Sequence, residues 1–143
     1  MSTRTYYDPL HQSISLNSSI PEEQMVMELI DSSPFQRLRR IKQLGPAYLT
    51  FHGAESSRFT HSIGVFHLAR RALDHLIKIN SRLKDYKFIL YGAALLHDLG
   101  HGPLSHTSEE IFGINHEEWS GRIINEHPEI SQIINKYKVG NFF

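Results

Sequence analysis

His97-Asp98 sets two metal-capable side chains side by side where an apolar helix should end, and His61 opens an earlier amphipathic stretch. Two imidazoles and a carboxylate suit a borderline or hard divalent ion such as Fe, Mn, Zn, Ni or Mg, and leave positions open for water or a phosphate oxygen. An ion held that way acidifies a bound water and polarises a phosphoryl group, which is what metal-assisted hydrolysis needs. His101, His106 and His116 follow in the loops beyond the pair. Imidazoles near a phosphate donate a proton to a leaving oxygen or bind the charge. A plainer reading stands beside this one, since a histidine on a helical stripe is more often a hydrogen-bonded core residue than a ligand. His11, His52, His67, His75 and His127 have no companion pattern and read as surface or structural residues.

The elements that must position these groups read as mostly helical. Thr5 to Leu16 is polar, with an Asp8-Pro9 turn and alternating Ile14 and Leu16, a pattern for a short strand or hairpin arm. Pro21 followed by Glu22 and Glu23 opens a helix, with Met25, Leu29 and Ile30 inward. Phe35, Leu38 and Ile41 recur every three residues before Gly45-Pro46, predicting a helix from about Pro34 to Leu44 whose other face carries Arg37, Arg39, Arg40 and Lys42. Pro46 to Thr60 reads as irregular. From His61 a stripe runs through Val65, Leu68, Ala72 and Leu76, which aims His61 at the core. Lys87 to Leu99 is apolar nearly all round and predicts a buried central helix against which that stripe packs. Shorter helices are expected at Thr107 to Phe112, His116 to Ile124 and Ile130 to Tyr137. The fold class is therefore all-α with a short N-terminal β arm, divided as an arm over 1–20 and a helical domain over 21–143.

Composition narrows the partners. The 143 residues suit one domain, and a chain of that length buries roughly two-thirds of its unfolded surface. Fifteen basic and fifteen acidic residues cancel, so no global field draws the chain to nucleic acid or an anionic membrane. Only the Arg37 to Lys42 face supports a nucleic-acid role, and such a face is most simply solvated. The absence of cysteine excludes disulfides, thiolate zinc sites and a Cys nucleophile, and fits a reducing compartment. No apolar run approaches the roughly 20 residues of a membrane span, and Met1 to Asp8 lacks a signal-peptide pattern. A cytoplasmic protein is expected.

Arg58-Phe59-Thr60-His61-Ser62 and His97-Asp98-Leu99-Gly100-His101-Gly102-Pro103-Leu104-Ser105-His106 resemble the HD-domain phosphohydrolases, specifically the branch of deoxynucleoside triphosphate triphosphohydrolases. Asp8-Pro9, the Phe35 to Arg39 segment, Ile41 to Gly45 and His116-Glu117 extend the resemblance from Asp8 to about Ile124. It implies an HD helical bundle in which His61, His97 and Asp98 are three of four metal ligands. It implies that His101, His106 and His116 line the triphosphate, with His106 in acid–base work, and that Arg58 touches phosphate. Gln43 and Leu44 match positions set against the deoxyribose. Arg4, Asp31, Gln36 and Arg39 match positions that read a regulatory guanine nucleotide at a subunit interface in the animal enzymes. The implied reaction is attack of water or hydroxide on the α-phosphorus, with cleavage of the bond to the 5′ oxygen.

The resemblance also sets a boundary. The family's fourth ligand is an Asp on a later helix, and no Asp follows Asp98. The chain therefore reads as the N-terminal portion of such an enzyme, expected to turn over weakly or not at all alone. Its implied partners are nucleoside triphosphates, further copies of itself, or the missing C-terminal portion. Two alternatives are an HD phosphohydrolase acting on another nucleotide and a non-catalytic nucleotide-binding or assembly module.

Overall fold

The computed structural model describes residues 2–137. The N-terminal arm is an antiparallel hairpin, β1 (Thr3–Asp8) and β2 (Gln12–Asn17), paired so that Thr3 faces Asn17 and Asp8 faces Gln12. Asp8 Oδ1 accepts from the Leu10 and His11 amides to close the turn, the usual role of Asp where backbone donors would otherwise be left open. Ile14 and Leu16 alternate onto the inner face and are fully buried, so the arm is part of the core. Seven α-helices follow among the described residues: α1 (Pro21–Asp31), α2 (Ser33–Arg37), α3 (Arg58–Ile79), α4 (Lys87–Leu96), α5 (His106–Phe112), α6 (His116–Glu126) and α7 (Pro128–Lys136). The expected all-α bundle with a β arm is what the chain forms.

The core runs from Ile14 and Leu16 through Met25, Leu29 and Ile30 of α1 and Phe35 of α2 to Phe59, Phe66 and Leu73 of α3 and Leu95 and Leu96 of α4. Phe66 of α3 and Tyr91 of α4 meet edge to face with centroids 5.2 Å apart, at the contact that sets the two long helices.

Three expectations are corrected. The helix from Pro34 to Leu44 stops at Arg37 and tightens into a 3-10 turn over Leu38–Arg40, with a second such turn at Gly45–Leu49. A repeat of three apolar residues matches the three-per-turn winding of that tighter helix, in which residues i and i+3 eclipse. The 22-residue α3 begins at Arg58 instead of His61, because Ser57 and Thr60 form a reciprocal capping box. Its inward side is Phe59, Ser62, Ile63, Phe66 and Leu73, whereas Leu68, Ala72 and Leu76 of the expected stripe are exposed. The central helix ends at Leu96, and His97 to Gly100 form a turn beyond it; only one side of α4 is fully buried. The basic segment is largely exposed, as expected, and three of its four cations are also engaged. Arg37 donates to the carbonyls of Leu99 and His101 at 2.6 and 2.7 Å, Arg39 lies over the Phe59 ring at 3.6 Å, and Lys42 pairs with Glu55. No described helix is long and apolar enough to cross a membrane.

Candidate metal and phosphate site

The turn after α4 is fixed from two sides. Ser120 of α6 accepts from the Gly100 amide at 2.8 Å and donates to the His97 carbonyl at 3.1 Å. A Cβ on Gly100 would lie 2.2 Å from the His116 carbonyl oxygen and 2.4 Å from the Ser120 nitrogen, so only glycine admits α6 this close. From the other side Arg37 takes up the Leu99 and His101 carbonyls. His97-Asp98 is thereby held against the first turn of α3, which carries Arg58 and His61 three residues apart.

His61, His97 and Asp98 present ligand atoms that all lie within 4.8 Å of one another. The two imidazole Nε2 atoms are 3.6 and 3.4 Å from the Asp98 carboxylate, and the two rings meet edge to face at 5.4 Å. His97 Nδ1 lies 2.9 Å from the Ala94 carbonyl, which acts as acceptor and leaves the Nε2 lone pair turned toward Asp98. Asp98 is buried beside an equally buried Arg58, whose Nη1 donates to Oδ2 at 2.5 Å and whose Nη2 donates to Ser105 Oγ. Burial opposes ionisation of Asp98, but His101, the charges of His97 and Arg58, and the Arg58 hydrogen bond hold its carboxyl well below the usual carboxylate range. Burial also lowers the pKa of His61, against the pull of Asp98. Two imidazoles and an ionised carboxylate whose ligand atoms converge are the donor set a divalent ion takes, so these residues fit one.

A second group adjoins the first through a 3.4 Å approach of His101 Nε2 to Asp98 Oδ1. His101 and His116 stack with centroids 3.9 Å apart and planes 13° from parallel, and His106 stands edge-on to both. The Nδ1 atoms of His101, His106 and His116 all face one oxygen of Glu109, at 3.2, 3.0 and 3.0 Å. His101 is fully buried, and burial pushes its pKa down. The turn leading to His106 is strained, with positive φ at Leu104 (68°) and Ser105 (58°), a feature concentrated at functional loops.

Gln43 and Leu44 lie beside this loop. Ser105 Oγ donates to the Gln43 carbonyl at 3.2 Å, and a Cβ on the following Gly45, itself at positive φ, would meet the Leu104 carbonyl oxygen at 2.4 Å. Gln43 Oε1 is buried with no partner, and Leu44 is partly exposed. Arg58 sits in the wall with both terminal nitrogens turned to Asp98 and Ser105. Arg4, Asp31, Gln36 and Arg39 gather elsewhere, near the hairpin. Arg4 pairs with Asp31 at 2.6 Å and Arg39 Nε donates to Gln36 Oε1 at 2.7 Å. His11 and His67 pack together at 5.3 Å and belong to neither ligand set. Glu109 is the residue that sequence reasoning missed. Its only signal was the spacing of three from His106 on one helical turn.

The HD domain model matches residues 58–138, more than half of the chain. The "uncharacterized protein YwfO" of Bacillus subtilis is 43% identical over 138 residues, covering 96% of this chain and 31% of that protein. The deoxynucleoside triphosphate triphosphohydrolase SAMHD1 of Danio rerio is 41% identical over 112 residues, covering 76% of this chain and 17% of that protein. Among solved structures, a hypothetical protein from Aquifex aeolicus superposes with a TM-score of 0.74 at 39% identity, over 94% of this chain and 34% of its own. The chain thus spans about a third or less of the length of these relatives. The family model, the matched relatives and the histidine–aspartate centre agree: the chain belongs to the HD-domain family.

Proposed function

We propose that this chain carries the metal-binding half of a deoxynucleoside triphosphate triphosphohydrolase site. The observation that supports the reading is the junction of the two groups at Asp98, where the ligand atoms of His61, His97 and Asp98 adjoin the three imidazoles, beside a strained loop and a buried, unpartnered Gln43 amide oxygen. His61, His97 and Asp98 would hold a divalent ion, which would supply an acidified water and charge neutralisation at the α-phosphoryl group. Arg58 keeps Asp98 ionised and adds positive charge behind it. His106, oriented by Glu109, protonates the leaving 5′ oxygen, while His101 and His116 shape the triphosphate wall. Gln43 Oε1 accepts a hydrogen bond from the sugar 3′-hydroxyl, and Leu44 crowds the 2′ position. With Asp98 the one carboxylate of the first ligand trio, turnover by the chain alone is expected to be slow.

Metal-loaded protein is incubated with a panel of deoxynucleoside triphosphates and inorganic triphosphate is measured. Metal-dependent triphosphate release that disappears in His97→Ala is expected. Release of only orthophosphate or pyrophosphate, or turnover of monophosphates and cyclic dinucleotides in preference, points to another HD phosphohydrolase reaction.

A second reading rests on the Arg4–Asp31 and Gln36–Arg39 pairs, outside the histidine groups and linked where Gln36 Nε2 donates to the carbonyl of Ile30, the neighbour of Asp31. There the chain is a nucleotide-dependent assembly module, with a guanine nucleotide taken up at a contact between copies. Sizing with and without GTP or dGTP separates the two: association without hydrolysis supports the module, and an unchanged monomer counts against it.

A further inference from the structure

The tip of the hairpin, Asp8 to Gln12, is seated on α3 through two imidazoles that belong to neither histidine group. The His11 ring meets the His67 ring at 5.3 Å with the planes tilted by 46°. It also leans on Gly64, where a Cβ would stand 3.3 Å from His11 Cδ2 and Nε2, so the ring lies directly against the helix backbone. Little else holds the tip: Leu10 is exposed, and the fully buried side chains of the arm are Ile14 and Leu16 further along.

The contact is built for uncharged rings. His67 Nδ1 is buried with no hydrogen-bond partner. A neutral ring tolerates that by keeping its proton on Nε2, whereas an imidazolium donates from both nitrogens and would leave one donor orphaned. The surroundings oppose a proton as well. On α3 stand Arg70, paired to Glu23 of α1 at 3.2 Å, and Arg71; from the hairpin come His11 and Asp8. Asp8 is the favourable neighbour, but its Oδ1 is already taken up by the Leu10 and His11 amides. Burial, then Arg70, His11 and Arg71, push the His67 pKa down against the weaker pull of Asp8.

We propose that His11 and His67 form a pH-operated latch, which holds the hairpin tip on α3 while His67 is neutral and releases it when His67 takes up a proton. The released part is one wall of a groove of about 320 Å³, lined by Asp8 and His11 from the hairpin and by Thr60, His61 and Val65 from α3. Release therefore widens the approach to His61, while Ile14 and Leu16 stay in the core. The latch does not depend on which reaction, if any, the chain performs.

The test follows backbone hydrogen exchange of the metal-free chain by mass spectrometry at about pH 7.5 and about pH 5.5, on either side of the ordinary histidine value of about 6.5. Rates are corrected for the intrinsic effect of pH on exchange. Opening of the tip, read in peptides spanning Asp8 to Gln12, is expected to be about tenfold more frequent at the lower pH. In His67→Phe, which keeps a ring against His11, that response is expected to shrink to less than about twofold while peptides of α4 respond as before. A tip that ignores pH, one that merely tracks α4, or a response that survives His67→Phe overturns the proposal. Should His67→Phe lose helical content in circular dichroism, NMR of the original chain decides: the Leu10 and Gln12 amide resonances are expected to move with the same midpoint as the His67 ring. Resonances that stay fixed through that midpoint overturn the latch.

Discussion

The two histidine groups share a border at Asp98 but are held by opposite means. Asp98 forms a buried ion pair with Arg58 with His61 beside it, and His97 is pinned through its far nitrogen to the Ala94 carbonyl at the end of α4. Charge is balanced there, and the donors are oriented before any ligand arrives. The second group hangs on a strained loop and the first turns of two short helices, with His106 two-thirds exposed and its neighbours' nitrogens converging on Glu109 without hydrogen bonds. One region is scaffold that happens to carry ligands; the other is ligands with little scaffold. Substitutions in the first should therefore cost stability, and substitutions in the second should cost binding.

The largest effect is expected from Arg58→Met, which strands the Asp98 carboxylate in the core and should cost about 3–5 kcal/mol in urea unfolding. Adding Asp98→Leu should recover most of that loss, because removing both charges of a buried pair is far cheaper than removing one. A double variant as unstable as the single one would break the idea of a charge-balanced scaffold. Next comes Gly100→Ala, whose new methyl group meets the backbone of α6 and should cost about 1–3 kcal/mol while weakening metal uptake. If uptake survives the loss of stability, the Ser120 bracket is not what positions His97-Asp98.

A smaller effect follows from pH. Burial lowers the pKa of His61 and His101 in the folded chain, against about 6.5 in the unfolded one. The unfolded state therefore binds protons first as pH falls, so the stabilisation is complete above about pH 6.5 and is lost as pH falls through the folded values. Thermal melts without added metal should show the midpoint dropping over that window, less steeply in His101→Gln. A midpoint that rises on acidification would reverse the sign and place both rings in the charged state. The smallest effect is expected from Glu109→Ala, within about 1 kcal/mol in the same melts, because its contacts with the three imidazoles are not aligned as hydrogen bonds. A loss several times larger would mean the second group is scaffold too.

Much of this was legible in the residues. The convergence of His61, His97 and Asp98 could be read because it is local: His97 and Asp98 are adjacent at a helix end, and His61 falls in the first turn of a capped helix. The fold class followed from the helical spacing and the buried alternation of Ile14 and Leu16. What failed was the choice of face on α3. Phe59, Ile63, Phe66 and Leu73 also recur at helical spacing, and nothing in periodicity says which of two apolar stripes meets the core; packing against Leu95 and Tyr91 decides. Helix length between Pro34 and Leu44 failed because a repeat of three residues fits a 3-10 turn as well as an α-helix. Glu109 escaped notice because its meaning is tertiary. Only when the loop folds back do His101 and His116 arrive on the oxygen that His106 already faces.

The Ser120 hydroxyl carries a lesson for grafting. It ties the amide of Gly100 to the carbonyl of His97 from an element twenty residues away. The paired His97-Asp98 residues are thus not a portable cassette: copied onto another helix end without the glycine and the serine that brackets it, they would keep their letters and lose their aim.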